Sequence, residues 1–373
     1  MKVTVVQEDL LAGLVAVGRA VATRSALPVT SHVLLSTDGG RLKLSATNLE
    51  IAISRWVGAK VEAEGALAVP ARLLTEFVKA LPNDRIDISL TKRTLSLQCG
   101  GCSAHIKEVD AGDFPPIPQV TGGVSTRIDP EALRQGVAMV AFAAATEDTR
   151  PVLTGVNMEL EGEKLTLVAA DGYSLARLHL GLLSPVAQRT VVIVPAAALT
   201  VLARLLPPKK PTEVLVNPGL ALFRWPGTEI TIKLIQGTFP HYHNLIPTGY
   251  ETRTVVDTAA FKRAARIASL FARVNNGSGI VRLVIIPGTM TVSTLCGEEL
   301  ASRQTLSAEV EGKKAKIAFN GKYLTDVLGV IKEEKVAIET TSLSSPGVLR
   351  PVGTDTYTHV VMPMNVQWEG NDA

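Results

Sequence analysis

Apolar residues recur along the chain with two spacings, every three to four residues in some segments and every second residue in others. The first spacing is typical of an amphipathic helix and the second of a half-buried strand. A short strand followed by a helix is predicted in three places: "VTVVQEDLLAGLVAVGRAV", "STRIDPEALRQGVAMVAFAA" and "RTVVDTAAFKRAARIASLFA". A polar residue suited to cap the helix stands at each helix start: Gln7 or Asp9, Asp129 and Asp257.

Alternating apolar residues broken by a turn follow each opening and predict antiparallel hairpins. The turns are Asp38-Gly39-Gly40, Glu161-Gly162 and Pro287-Gly288. A second helix is predicted in "ALAVPARLLTEFVKALP", "VVIVPAAALTVLARLLP" and "AKIAFNGKYLTDVLGVI", and more strands close each unit. A period of roughly 125 residues is long enough for one domain per copy. We therefore predict an α+β fold of three tandem domains, residues 1–122, 123–250 and 251–373.

The composition fits folded domains with aliphatic cores. Of the 373 residues, 46% are hydrophobic but only 4% are aromatic. The sequence contains no run of eighteen apolar residues, so no transmembrane helix is predicted. Its N-terminus lacks the apolar region of a signal peptide. Three cysteines, Cys99, Cys102 and Cys296, are too few for a disulfide scaffold, so we expect a cytoplasmic location.

The charges nearly balance, with 38 basic and 35 acidic residues, but their placement is uneven. The six predicted helices and their ends carry roughly fifteen lysines and arginines against about nine acidic residues. If these helices share one side of the fold, that side suits a polyanion. When charge alone is considered, the same surplus of basic residues is also explained by helices whose charged faces are simply exposed to solvent.

The short motifs of common enzyme classes are absent from the sequence: the phosphate loop, the dinucleotide fingerprint, the zinc-protease helix and the nucleophile elbow. The C-x-x-C segment from Cys99 to Cys102 lies at a predicted hairpin turn and not at the strand-to-helix junction of a redox motif. His241 and His243 have no second ligand pair at metal spacing. We expect no catalysis, no metal and no cofactor. A redox protein that uses Cys99 and Cys102 is the enzyme alternative.

Seven segments, in order along the three repeats, carry a family resemblance: "RSALPVTSHVLL", "GDFPPIP", "TRPVLTGVNMEL", "AADGYSLARL", "GTFPHYHNLIP", "FNGKYLTDVL" and "HVVMPM". Through them the chain resembles the bacterial DNA polymerase III beta subunits, the DNA sliding clamps. The resemblance implies a head-to-tail homodimer whose six domains form a ring around double-stranded DNA, with the helices lining the hole. It implies that the ring gives processivity and tethers the polymerase III alpha subunit, the clamp loader, other polymerases and repair proteins.

The resemblance also implies a hydrophobic peptide-binding cleft between the second and third domains. Methionines in such a wall suit varied peptides because the Met side chain repacks easily. The implied cleft residues are Arg150, Val152, Leu153, Thr154, Ala170, Gly172, Tyr173, Ser174, Leu175, Pro240, Asn244, Leu245, Asn320, Tyr323, Leu343, Ser345, Val360, Val361, Met362, Pro363 and Met364. In the tail beyond them, Trp368 is within reach of the cleft.

For DNA, Arg24 in the loop "RSALP" matches a position of the family. The helix cations are further candidates: Arg72, Lys79, Arg134, Arg204, Lys209, Lys210, Lys262, Arg263 and Arg266. In the implied dimer, Ala104 and Ile106 face Leu270 and Phe271 of the partner subunit. A monomeric clamp homologue without a competent ring interface is the alternative among binding proteins.

Overall fold

The computed structural model describes residues 1–22, 27–107, 109–147, 149–272, 279–296 and 299–368. Their α-helices are α1 Gln7–Val17, α2 Ala71–Ala80, α3 Pro130–Val140, α4 Ala196–Leu205, α5 Thr258–Phe271 and α6 Gly321–Val330. Their strands are β1 Lys2–Val6, β2 His32–Asp38, β3 Arg41–Thr47, β4 Ile51–Val57, β5 Ala59–Ala63, β6 Ala66–Pro70, β7 Arg85–Thr91, β8 Thr94–Cys99, β9 Cys102–Lys107, β10 Val124–Ile128, β11 Gly155–Ala170, β12 Ser174–Pro195, β13 Thr212–Val216, β14 Leu220–Trp225, β15 Thr228–Lys233, β16 Thr252–Asp257, β17 Ile280–Ile286, β18 Thr289–Cys296, β19 Glu299–Ser307, β20 Glu309–Gly312, β21 Ala315–Asn320, β22 Lys335–Thr340, β23 Gly347–Pro351 and β24 Tyr357–Val361.

The predicted strand–helix opening is present three times, as β1–α1, β10–α3 and β16–α5. Two of the predicted hairpins are confirmed. Strands β2 and β3 pair with Asp38 opposite Arg41, and β17 and β18 pair with Ile286 opposite Thr289. The third predicted turn, Glu161-Gly162, lies inside the range of β11, and Gly162 has a φ of +56°, the left-handed conformation that tight turns use.

Two of the four sheets formed by the described residues extend across the sequence repeats. The strand orders are β10-β13-β14-β15-β4-β3-β2-β6, β11-β12-β24-β23-β22-β16-β20, β5-β1-β7-β8-β9 and β19-β18-β17-β21. The eight-stranded sheet joins the first repeat to the second where β4 pairs with β15. The seven-stranded sheet joins the second repeat to the third where β12 pairs with β24.

The chain divides into two compact units. The first comprises residues 1–131, 182–190 and 197–235, and the second comprises residues 132–181, 191–196 and 236–373. The units differ from the three repeats because each contains a sheet built from two neighbouring repeats. The boundaries near residues 122 and 250 stay a prediction.

Mainly aliphatic side chains, with a few aromatic ones, form the cores. In the first unit, α1 lies on β3 and β4 and buries Leu10 and Leu14. In the second unit, α5 and α6 pack together and bury Phe261 and Leu324. None of the described helices has the length and apolar character needed to cross a membrane.

The predicted helix caps have different outcomes. Asp257 caps α5 as predicted, because its carboxylate accepts a hydrogen bond from the backbone N–H of Ala260 at 2.6 Å. At α1 the prediction is wrong, since Val6 occupies the cap position without a side-chain hydrogen bond. Gln7 is instead buried and donates from Nε2 to the carbonyl oxygen of Val78 at 2.7 Å, which links α1 to α2.

Candidate functional site

A cavity of about 400 Å³ opens on the second unit beside the turn that joins β11 to β12. Its lining is mainly apolar and comprises Ala170, Gly172, Tyr173, Ser174, Leu175, Asn244, Leu245, Pro247, Pro346, Val360 and Met362. Sequence reasoning named these residues except Pro247 and Pro346. The structure therefore brings together residues from four separate segments of the chain.

Large apolar side chains around this cavity are exposed. Tyr173 is 65% exposed, Leu245 is 56% exposed and Met362 is 42% exposed. Contiguous exposed apolar surface is unusual on a folded protein and marks a surface that binds a partner. The cavity and its exposed rim thus form one candidate binding surface, called here the cleft.

The floor of the cleft is set by strand pairing. Leu175 of β12 lies opposite Val360 of β24, and Ser174 lies opposite Val361. Just beyond the paired residues, the backbone N–H of Met362 donates to the carbonyl oxygen of Tyr173 at 2.8 Å. The sheet thereby holds the second and third repeats together at the cleft.

The turn at one rim of the cleft is organised by Asp171. Its Oδ1 accepts hydrogen bonds from the backbone N–H groups of Tyr173 and Ser174, at 2.9 and 2.8 Å. Gly172 has a φ of +100°, and a Cβ there would lie 2.9 Å from Nη2 of Arg150. The positive φ favours glycine at this position, and any larger residue would also displace the end of the Arg150 side chain.

Helix α6 is tied to the same carboxylate. The hydroxyl of Tyr323 donates to Oδ2 of Asp171 at 2.9 Å. Burial and then the Asp171 hydrogen bond raise the pKa of Tyr323, so its hydroxyl stays a proton donor. Sequence reasoning named Tyr323 but missed Asp171, although an Asp-Gly pair after a strand is a turn signal.

A buried polar cluster supports the floor of the cleft from below. His359 of β24 is fully buried, and its Nε2 lies 3.0 Å from Oγ of Ser174. Its Nδ1 lies 3.3 Å from the hydroxyl of Tyr357, and its ring stacks on Phe142. Burial lowers the pKa of His359 to about 3, so the imidazole is neutral at physiological pH.

Twelve predicted cleft residues are not part of the cavity lining. They are Arg150, Val152, Leu153, Thr154, Pro240, Asn320, Tyr323, Leu343, Ser345, Val361, Pro363 and Met364. For Leu153 and Val361 the reason is burial, since they are 3% and 0% exposed and belong to the core. Asn320 caps α6 through its side-chain oxygen, which accepts from the N–H of Lys322 at 2.9 Å.

The tail beyond Met364 was expected to bring Trp368 within reach of the cleft, but it follows a different course. The N–H of Met364 donates to the carbonyl oxygen of Ala318 on β21 at 2.7 Å. The ring of Trp368 then lies 5.3 Å from the guanidinium of Arg282 and 5.8 Å from the ammonium of Lys316. Trp368 therefore rests against β17 and β21 and does not line the cleft.

The candidate DNA contacts are mostly exposed cations. Arg24 lies outside the described residues. Arg134 of α3 is half-buried. The exposed ones are Arg72 and Lys79 of α2, Arg204 of α4, Lys209 and Lys210 in the loop after α4, and Lys262, Arg263 and Arg266 of α5. Placing Lys209 and Lys210 on a loop corrects their expected position at a helix.

The candidate dimer residues fall into two groups. Leu270 and Phe271, in the last turn of α5, are 64% and 46% exposed. Ala104 of β9 is half-buried, whereas Ile106 of the same strand is only 6% exposed. The expectation that Ile106 presents its side chain to a partner is therefore wrong, because that side chain packs within its own unit.

The two cysteines of the C-x-x-C segment lie at a hairpin turn. Cys99 and Cys102 lie opposite each other on β8 and β9, as the hairpin prediction implied, and both are free thiols. Burial raises the pKa of the Cys99 thiol, which disfavours the nucleophilic thiolate. Within the described residues, no group of three or more His, Cys, Asp or Glu side chains is arranged to hold a metal ion.

Known proteins are similar to this chain in sequence and in fold. Family models of the DNA polymerase III beta subunit match residues 1–118 (N-terminal domain), 127–241 (central domain) and 243–365 (C-terminal domain). The beta sliding clamp of Pseudomonas putida is 32% identical over 372 residues, which are 98% of this chain and 100% of that protein.

Two solved structures extend the comparison. The sliding clamp of Pseudomonas aeruginosa bound to griselimycin is 30% identical, with a TM-score of 0.93 over 98% of this chain and 100% of that one. The sliding clamp of Bacillus subtilis is 24% identical, with a TM-score of 0.95 and the same coverage. The fold is therefore that of three tandem clamp domains, each built from helices and antiparallel sheets. The chain belongs to the DNA polymerase III beta subunit family, the beta sliding clamps.

The neutral His359 beneath the cleft predicts an acid-dependent loss of stability. In the unfolded chain a histidine protonates near pH 6.5, whereas in the folded chain the pKa of His359 is about 3. Between these values the unfolded state binds one more proton, so stability is complete above pH 6.5 and falls as the pH falls toward 3. His179, whose pKa burial lowers to about 4, acts in the same direction.

The contribution of His359 is isolated by His359→Gln, which does not titrate. The free energy of unfolding, measured by denaturant titration, is expected to fall less steeply between pH 6.5 and 4 in this variant than in the wild type. His241→Gln, at an exposed position, is the matched control. Parallel pH curves for wild type and His359→Gln would contradict the assignment of a neutral buried imidazole.

Proposed function

We propose that this chain is a non-catalytic processivity factor, a DNA sliding clamp that closes as a homodimer into a ring around duplex DNA. In this proposal the cleft holds polymerases, the clamp loader and repair proteins by short peptide segments. The observation that carries the proposal is the apolar cavity rimmed by exposed Tyr173, Leu245 and Met362, in a chain of the beta sliding clamp family.

The shape and chemistry of the cleft suit a peptide. A volume of about 400 Å³ is in the range of sites that take a few side chains of a ligand. Leu175, Val360 and Met362 offer apolar contacts, and the rim residue Asn244 offers an amide for a polar group. The griselimycin-bound clamp of Pseudomonas aeruginosa, at 30% identity, supports a ligand site on this fold.

The cations of the helices suit a phosphate backbone. On α5, Lys262 and Arg266 are one helical turn apart and Arg263 is beside them, all three exposed. Like charges at this spacing repel each other, so the arrangement costs stability unless a polyanion neutralises it. Contacts made only with phosphates carry no sequence information, which is what a clamp that slides requires.

The ring interface is proposed at the end of α5 and at β9. Leu270 and Phe271 leave two large apolar side chains on the surface of one helical turn. Strand β9 has a hydrogen-bonded neighbour, β8, on one side only among the described strands. An open strand edge is a ready site for pairing with another chain. In this proposal the half-buried Ala104 of β9 contacts the partner subunit through its side chain. Ile106 contributes to the interface only through its backbone.

Met362→Ala is expected to weaken binding of a clamp-binding peptide taken from the replicative polymerase of the same host. The lost apolar contact is worth about 1–3 kcal/mol, or roughly 5- to 150-fold in the dissociation constant. Isothermal titration calorimetry measures the change. Met139→Ala, on α3 and outside the cavity lining, is the matched control. Equal affinities for wild type and Met362→Ala would show that the peptide binds elsewhere.

Leu270→Glu is expected to convert the dimer to a monomer, because a charge would be buried against apolar surface in the interface. Analytical ultracentrifugation at micromolar concentration should show twice the chain mass for the wild type and a single chain mass for the variant. Leu73→Glu changes a leucine of α2 that is 55% exposed and serves as control. A wild type that sediments as a clean monomer would favour the monomeric homologue.

A further inference from the structure

One carboxylate gathers the hydrogen bonds that hold the rim of the cleft. Asp171 accepts from the N–H of Tyr173 at 2.9 Å, from the N–H of Ser174 at 2.8 Å and from the hydroxyl of Tyr323 at 2.9 Å. Hydrogen bonds to an ionised acceptor are roughly twice as strong as bonds between neutral groups. Asp171 itself does not line the cavity.

The turn held by these bonds carries cleft residues on its outer side. Between Asp171 and Ser174, Gly172 takes a φ of +100°, and Tyr173 projects with 65% of its surface exposed. The carbonyl oxygen of Tyr173 accepts from the N–H of Met362, so the turn also fixes the start of the segment after β24. A change in the turn would therefore move Tyr173 and Met362 together.

The third hydrogen bond connects the turn to a different repeat. Tyr323 lies in the first turn of α6, while Asp171 follows β11. The capping of α6 by Asn320, through the N–H of Lys322, fixes the first turn of the helix from which Tyr323 projects. The Tyr323 hydroxyl therefore connects the rim of the cleft to the first turn of α6 by a contact within the chain.

We propose that Asp171 is a positioning residue for ligand binding: it holds the Tyr173 turn in its binding geometry and couples that geometry to α6 through Tyr323. This inference rests on the proposed function of the cleft. The inference adds that affinity depends on a residue that does not line the cavity. When the rim is already ordered, less conformational entropy is lost as the ligand binds.

The test uses the full chain and two probes, griselimycin and the polymerase peptide, with affinity measured by calorimetry. Tyr323→Phe removes one hydrogen bond and leaves the turn amides paired, so we expect a loss of about three- to tenfold. Asp171→Ala removes all three bonds and should lose more than about tenfold. Asp171→Asn keeps the Oδ1 acceptor and should recover affinity to within about threefold of wild type. Tyr250→Phe, at an exposed tyrosine outside the cavity lining, is the control.

Two further readouts separate positioning from a general loss of stability. The double variant Asp171→Ala with Tyr323→Phe should bind no more weakly than Asp171→Ala alone, because the second change removes a bond already lost. Amide hydrogen exchange should become faster at Tyr173 and Ser174 in Asp171→Ala, with the rest of the seven-stranded sheet protected as in wild type. If Asp171→Ala does not fold, Tyr323→Phe and Asp171→Asn still decide the question.

The outcomes distinguish the two proposals. A wild type that binds neither probe would overturn the proposed cleft and this inference with it. A wild type that binds, together with unchanged affinity in Tyr323→Phe and Asp171→Ala, would overturn only the positioning role. Lower melting temperatures with unchanged affinity of the folded variants would likewise reduce Asp171 to a structural residue.

Discussion

The antiparallel pairing of β12 with β24 is the interaction on which the candidate site depends. It places Leu175 opposite Val360 and Ser174 opposite Val361, and so joins the second and third repeats in one sheet. Because side chains alternate between the two faces of a strand, a slip of one residue would turn Val360 away from the cleft and Val361 toward it. The register thus decides which of these two valines meets a ligand and which one fills the core.

Several features of the second unit maintain that register. His359, fully buried on β24, contacts Ser174 of β12 and stacks on Phe142, so the two strands share a polar contact beneath the cleft. On the open side, the N–H of Met362 bonds to the carbonyl of Tyr173, and Asp171 holds the turn before β12. These contacts all lie within the chain, so in the proposed function they would lower the loss of entropy on ligand binding.

The pattern of apolar residues predicted the repeat, and the family resemblance implied most of the residues that line the cavity. The reasons for the remaining failures are physical. Periodicity located the strand–helix openings, because local spacing of apolar residues sets helix and strand. Periodicity cannot report which strands pair across repeats, so the shared sheets and the two compact units were not predicted. Pro247 and Pro346 reach the cavity only through long-range packing. For the same reason the burial of Ile106 and Val361 could not be read from residue type.

The same limit applies to polar side chains. Asp257 caps its helix as predicted, because capping is a local hydrogen bond. Gln7 instead serves a distant partner on α2, and Asp171 joins its own turn to a helix about one repeat further along the chain. Residues whose partners are distant in sequence are visible only when the chain is folded.

In the proposed function, a ring encloses DNA without binding it tightly. The most direct measurement is retention of the protein on nicked circular plasmid after loading by a clamp loader, followed by cutting of the plasmid at one site. A closed ring that slides predicts that the protein stays on the circle and is lost when the DNA becomes linear. Retention on the linear DNA would contradict enclosure by a ring, because the protein would then be held by direct contacts with the DNA.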